Sequence, residues 1–203
     1  MSTRLRNRRR QIEDAASALF SGRGYAATSM RDIAGALDLQ GGSLYAHVAS
    51  KEELLWSIVD DASGRFHAAV RPLAEGPGSA AERLAAMVHA HVGVLAGGLE
   101  RASVYLYEWT FLGQERREPI AHSRDAYQAM FERVIAEGQA SGEFATGPDP
   151  KLAATFVLSA VNALPRWFRT DGPLRLDQVA EQYADLSLRG LQPVPAPVHR
   201  RTP

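Results

Sequence analysis

Ser29-Met30-Arg31-Asp32-Ile33-Ala34-Gly35-Ala36-Leu37-Asp38-Leu39-Gln40-Gly41-Gly42-Ser43-Leu44-Tyr45-Ala46-His47-Val48-Ala49-Ser50-Lys51-Glu52-Glu53-Leu54 is a run in which helix-starting, helix-stopping and apolar positions alternate at short intervals. Ser29 can cap a helix by accepting from the amide of Asp32, whose carboxylate answers three residues on, the arrangement of a capping box. Met30, Ile33, Ala34 and Leu37 then share one face of a short helix. Asp38 and Leu39 make a turn, and a third short helix is expected over residues 40–47. Gly41 and Gly42 lower helix propensity by roughly 1 kcal/mol each relative to alanine, so that helix must be held by packing of Leu39 and Leu44. Such a local conflict marks a working surface. Ser50, with Glu53 as its reciprocal partner, caps a long fourth helix whose apolar face is set by Leu54, Leu55, Ile58 and Val59 and which is expected to reach residue 71.

Upstream, Ile12, Ala15, Ala16, Leu19 and Phe20 fall on one face of a helix expected over residues 8–21, ended by Gly22 and Gly24. A longer helix followed by two short ones around a tight turn is the make-up of a helix-turn-helix, whose second short helix enters the DNA major groove. Charge agrees. The chain is neutral as a whole, yet residues 1–51 carry eight basic side chains against four acidic ones, with five arginines between positions 4 and 10. A basic end on an acidic body suits a nucleic-acid-facing terminus. The chain contains no cysteine, which removes disulfides, thiolate metal sites and thiol nucleophiles. No apolar run approaches a membrane span and residues 1–10 lack a signal-peptide core, so a cytoplasmic protein without a membrane partner is expected.

Beyond Pro72 and Glu75-Gly76-Pro77-Gly78, read as a break, apolar residues keep helical spacing and no stretch alternates with period two. Helices are expected over residues 79–96, 101–112, 118–140, 150–168 and 176–190. The fold class is all-α. Residues 1–50 are read as a helix-turn-helix DNA-binding domain with a basic arm, residues 51–190 as a helical effector-binding and dimerisation domain, and residues 191–203, with four prolines, as a disordered tail.

The run from Leu39 to Leu54, with its small-residue turn, its Leu44-Tyr45 pair, His47 and Ser50-Lys51-Glu52-Glu53-Leu54, resembles the TetR family of transcriptional regulators. Ala15 to Phe20 and Gly24-Tyr25-Ala26-Ala27-Thr28-Ser29-Met30-Arg31-Asp32-Ile33-Ala34 match the same family in one register, so the likeness spans about residues 8–60. Three positions depart: Asp38 replaces the usual glycine, Gln40 a capping serine or threonine, and Ala46 an aromatic or histidine. The DNA-facing set is Ser29, Arg31, Gln40, Gly41, Gly42, Ser43, Tyr45, His47 and Lys51. The glycines allow close backbone approach, Tyr45, His47 and Lys51 can donate to phosphates, and Gln40, Ser43 and Arg31 can reach base edges.

The resemblance implies a homodimer on double-stranded operator DNA, acting as a repressor and released by a small-molecule effector, with no bound cofactor. Residues expected to line the effector pocket are Met87, His91, Tyr105, Trp109, Met130, Phe131, Phe156, Asn162, Arg166 and Trp167. The stretch Arg166-Trp167-Phe168-Arg169-Thr170-Asp171-Gly172-Pro173-Leu174, followed by Val179 and Tyr183, is similar to the family branch that senses acyl-coenzyme A thioesters in lipid or sterol breakdown. An acyl-CoA is therefore the first expected effector and another lipophilic molecule the second, although the helix before Arg166 offers no arginine for phosphates. Dimerisation is expected through Phe156, Val157, Ala160, Val161, Leu164, Val179, Tyr183 and Leu186, packed as a four-helix bundle. His89 and His91 have no third ligand at helical spacing and no nucleophile motif accompanies them, so no enzyme is expected.

Overall fold

The computed structural model describes residues 3–39 and 41–193. All the regular structure among these residues is helical: α1 (Thr3–Arg23), α2 (Met30–Ala36), α3 (Gly41–Tyr45), α4 (Lys51–Ala74), α5 (Ala80–Ala96), α6 (Leu99–Tyr107), a 3-10 turn (Trp109–Phe111), α7 (Gln114–Ser141), α8 (Pro150–Asn162), α9 (Leu164–Trp167) and α10 (Leu176–Leu191). Gln40 and residues 194–203, most of the expected tail, lie outside the described residues.

The head is built as its sequence dictates. Ile12, Ala16 and Phe20, four apart on α1, are fully buried, and Gly24, at φ 86°, ends that run. The capping box at the head of α2 is complete: the Ser29 amide donates to Asp32 at 2.7 Å and the Asp32 amide to the Ser29 hydroxyl at 3.2 Å. Asp38 explains its own departure from glycine, because its φ of 52° lies in the left-handed region that aspartate tolerates better than most side chains. There it forms a Schellman closure, with the Leu39 amide donating to the Ala34 carbonyl at 2.9 Å and the Asp38 amide to Gly35 at 3.2 Å. Leu44 and Val48 are buried and hold the short α3 in place.

Helix α4 starts on the Ser50 hydroxyl, which accepts from the Glu53 amide at 3.0 Å. The Glu53 carboxylate accepts from the Ala49 amide at 2.8 Å rather than from Ser50, one residue off the expected pairing. From Leu54 to Ala74 its buried stripe forms a single apolar core with α5, α6 and α7. Helix α10 lies along α5, α8 along α7, and α1 against α6.

Five expected boundaries are corrected. Helix α1 begins at Thr3, well before residue 8, because Arg and Leu are good helix formers. Helix α4 passes through Pro72 and stops two residues later; near a C-terminus a proline removes one bond from a ladder about to end. Helix α7 opens at Gln114 and carries Pro119 near its start, whereas α6 ends at Tyr107 and continues only as a 3-10 turn. The expected helix over 150–168 is broken after Asn162, because Pro165 has no amide for the Val161 carbonyl and its ring crowds that turn.

At Gly138 a side chain would meet the Phe144 ring and the Ala80 methyl, both buried. Gly138→Ala should therefore lower stability by about 1–3 kcal/mol, the cost of overpacking, read as a drop in the urea unfolding midpoint. Gly22→Ala, with open space around the new methyl, should not.

Candidate DNA-binding face and effector cavity

Helices α2 and α3 expose one polar face. Arg31, Ser43 and Tyr45 are exposed and His47 is half-buried. Tyr45, at 57% exposure, is an aromatic side chain the core does not use. With Ser29, Met30, Arg31 and Leu39 it borders an open cleft of about 600 Å³ between the two helices. Hydrogen bonds from the Ser29 hydroxyl and amide hold the Asp32 carboxyl below its ordinary range. Gly41 and Gly42 open α3, and Gln40 is outside the described residues.

Lys51 is placed differently from a free phosphate-binding lysine. Its ammonium donates to the Tyr25 carbonyl at 2.9 Å and the Thr28 carbonyl at 2.7 Å. It also lies 4.2 Å from the centre of the Tyr25 ring. Two of its three N–H groups thus fasten the loop ahead of α2 to the first turn of α4.

The body grips this head through α6 and the turn after it. Arg101 meets Asp14 at 2.8 Å and Glu13 at 3.4 Å on α1. The Glu108 carboxylate accepts from the Tyr25 amide at 2.9 Å, and Phe111 packs 5.5 Å from the Tyr25 ring. The Gly113 amide donates to Glu52 on α4 at 3.1 Å. The opposite side of α6 presents Tyr105 and Leu106 to a cavity of about 340 Å³.

That cavity is lined by residues of α5, α6, α7 and α8 and opens to solvent past Asp125, Thr155 and Ser159. His91 on α5 is 2% exposed, and its Nδ1 lies 2.9 Å from the Tyr127 hydroxyl. Burial pushes the His91 imidazole down to about 3, opposed by its hydrogen bond with the Asn162 side chain. Beyond that pairing, His91 Nε2 and Asn162 Oδ1 have no hydrogen-bond partner among the described residues. Burial also pushes the phenol of Tyr127 well up, with Tyr105 adding to it, and raises that of Tyr105, partly opposed by Arg124. The Arg124 guanidinium lies between the rings of Tyr105 and Trp109, at 5.1 and 5.0 Å. Beside it, the hydroxyl of Ser123 is 2.8 Å from that of Ser63 on α4, so the cavity wall is hydrogen-bonded to the long helix.

Of the residues expected at the effector pocket, His91, Tyr105 and Asn162 line this cavity. Met87, Met130 and Phe131 are buried in the core and do not line it. Trp109 stacks on the outer side of Arg124 and borders a separate shallow depression with Arg117. Arg166 covers the Tyr107 ring at 3.9 Å, while Phe156 and Trp167 point outward at 69% and 43% exposure. Arg124, Tyr127, Gln128, Thr155 and Ser159 line the cavity without having been singled out. Polar residues on an amphipathic helix read as solvent-facing; the usable signal was Arg124, Tyr127 and Gln128 at helical spacing. Arg124 brings a guanidinium to the wall from α7, with the Asp125 carboxylate next to it in the lining.

The expected dimer stripe divides in two. Val157, Val161, Leu164 and Val179 fill the chain's own core, and Ala160 and Tyr183 are half-buried. Phe156 and Leu186, with Leu152 on the same outer side of α8, are exposed.

A three-helix head with a helix-turn-helix, braced against an all-helical, cavity-bearing body, is the architecture of a helix-turn-helix regulator. Residues 12–58 match the family described as bacterial regulatory proteins, tetR family, and residues 77–191 the tetracyclin repressor-like C-terminal domain. The chain belongs to the tetR family of transcriptional regulators. It is 32% identical to the HTH-type transcriptional repressor KstR2 of Rhodococcus jostii, over 91% of each chain. The structure of the ketosteroid transcriptional regulator KstR2 of Mycobacterium tuberculosis superposes with a TM-score of 0.87 at 29% identity, covering 92% of this chain and 96% of that one. The structure of AibR in complex with isovaleryl coenzyme A and operator DNA gives 0.77 at 29% identity, covering 92% and 98%. No described helix is long and apolar enough to cross a membrane.

Because His91 is near 3 when folded and near 6.5 when unfolded, the unfolded chain binds the extra proton between those values. Acidification should therefore destabilise the fold through that window, by at most about 1.4 kcal/mol per pH unit from this group. Urea unfolding of the chain and of His91→Leu from pH 7 to 4 checks this: the variant should lose that part of the slope.

Proposed function

We propose that this chain is a cytoplasmic repressor that binds a palindromic operator as a homodimer and is released when a small effector enters the α5–α8 cavity. The observation that carries this reading is the double duty of α6. Tyr105 and Leu106 face the cavity, while Arg101 on the same helix and Glu108 just after it hold α1 and the loop before α2. A ligand that displaces α6 moves those anchors, and the Ser63–Ser123 bond carries α4 with the cavity wall. The effector must prefer the DNA-incompetent arrangement, and a tenfold loss of operator affinity corresponds to about 1.4 kcal/mol of that preference.

An acyl-coenzyme A thioester is the effector class that suits best. The similarity to AibR, crystallised with isovaleryl coenzyme A and operator DNA, supports it, as does Arg124 at the cavity wall. A cavity of about 340 Å³ suits the acyl part, leaving the nucleotide outside near Arg117. Another lipophilic molecule is the second candidate. Exposed Phe156 and Leu186 supply an apolar outer face for a dimer, which two half-sites require.

Mobility shifts with the DNA upstream of the chain's own gene, at several salt concentrations, test the reading. Specific, salt-sensitive binding is expected, weakened at least tenfold in Tyr45→Ala with unchanged melting and relieved by a short-chain acyl-CoA. Glu108→Ala should still bind the thioester yet release DNA less. Phe156→Glu should shift the sedimentation profile to a monomer and abolish operator binding. Absence of any specific shift, with the fold intact, would end the assignment.

A further inference from the structure

Among the described residues that line the cavity, Arg124 alone carries a positive charge. Its partners are all neutral: the rings of Tyr105 and Trp109 on either side, the Tyr105 carbonyl at 3.4 Å and the Tyr105 hydroxyl. No carboxylate among the described residues pairs with it, neither Asp125 beside it in the lining nor Glu118 in the depression that Trp109 borders. An oxyanion accepts from a guanidinium in a bidentate, charge-assisted pairing, which is stronger than contact with a ring face. Arg124 is half-buried and the cavity opens to solvent, so a ligand can reach it.

Trp109, the outer of the two rings, belongs to the turn that grips the head. Glu108, just before it, accepts from the Tyr25 amide at 2.9 Å. Phe111, two residues on, packs 5.5 Å from the Tyr25 ring, and the Gly113 amide donates to Glu52 at 3.1 Å. These contacts are made with the head, whereas Trp109, in the midst of them, meets Arg124. The guanidinium therefore joins the cavity lining to the gripping turn in a single step. Tyr25 is in turn held by Lys51 at the start of α4, through its carbonyl at 2.9 Å.

We infer that Arg124 is a positioning residue for DNA release: an oxyanion of the effector, carboxylate or phosphate, draws its guanidinium off the Trp109 face and frees the 108–113 turn to shift Tyr25. This rests on the reading of the cavity as the effector site, and adds the group that the ligand must carry and the residue that senses it. A neutral ester of the same shape fills the cavity and leaves the guanidinium between its two rings.

Octanoate, octanoyl-CoA and methyl octanoate serve as probes on the full chain, with their binding read by calorimetry and operator affinity by the anisotropy of labelled DNA. At least one of the two anions should lower operator affinity about tenfold or more at saturation: octanoate if a carboxylate suffices, the thioester alone if its phosphates are needed. The ester should lower it by less than about twofold. Trp109→Leu, which keeps the guanidinium, should weaken operator binding about fivefold without ligand. By reciprocity it should then bind the active anion more tightly by a similar factor, and the anion should add little further release. A variant that is merely damaged loses affinity for both. The comparison among the probes in the unaltered chain decides even if the variant does not fold. Release by the ester equal to that by the anions, or an undiminished response in Trp109→Leu, overturns the role of Arg124 while leaving the cavity as the effector site. A chain that binds operator but none of the probes overturns the cavity reading and this inference with it.

Discussion

Helix α4 is one continuous rod whose buried stripe runs through a single core from the head into the body. Its first turns bury Leu54, Leu55 and Ile58 beneath α1, while Phe66 and Val70 lie among the rings and aliphatic chains of α5, α6 and α7. A helix packed along its whole length does not flex without losing that packing, so α4 joins head and body stiffly. Lys51 adds a rivet at the end nearest DNA, tying α4 to the loop before α2 through two carbonyls. The pose of the reading helix is thus a consequence of how α4 sits, and α4 sits as the body allows.

Coupling needs more than one rod. Two ion-paired or hydrogen-bonded anchors, Arg101 on α1 and Glu108 on the Tyr25 amide, come from the segment whose inner side lines the cavity. They lie at a boundary where side chains are partly exposed, so each is worth little as stability. On the proposed mechanism their value is geometric: they tie the position of α6 to the loop ahead of the capping box. Weak, directional contacts between two well-packed units are the kind that a ligand with a modest preference for one state can rearrange.

Inside the body, the polar character of the cavity stands against its position in the core. His91 and Tyr127 share one hydrogen bond in a site that forbids charge on either, as the lowered imidazole and raised phenol both record. Hydrogen bonds among such buried groups keep them from the cost of an unsatisfied polar atom.

The head was legible from the sequence alone because its signals are local. A capping serine with an acidic partner three residues on, apolar residues at three- and four-residue spacing, and a stop after each run are set by backbone geometry within one or two turns, and Ser29, Asp32, Leu44 and Ser50 sit where that geometry requires. Even the departure at Asp38 was visible, though its left-handed backbone was not. The all-helical class followed from the same periodicity. Only the folded chain decided which side of α7 and α8 meets the cavity, since Arg124, Tyr127, Thr155 and Ser159 are polar positions on helices that read equally well as solvent-facing. It also decided that Val157 and Val161 turn inward while Phe156 turns outward, and that Lys51 is engaged with carbonyls. Those outcomes depend on contacts between residues tens of positions apart, which periodicity does not encode.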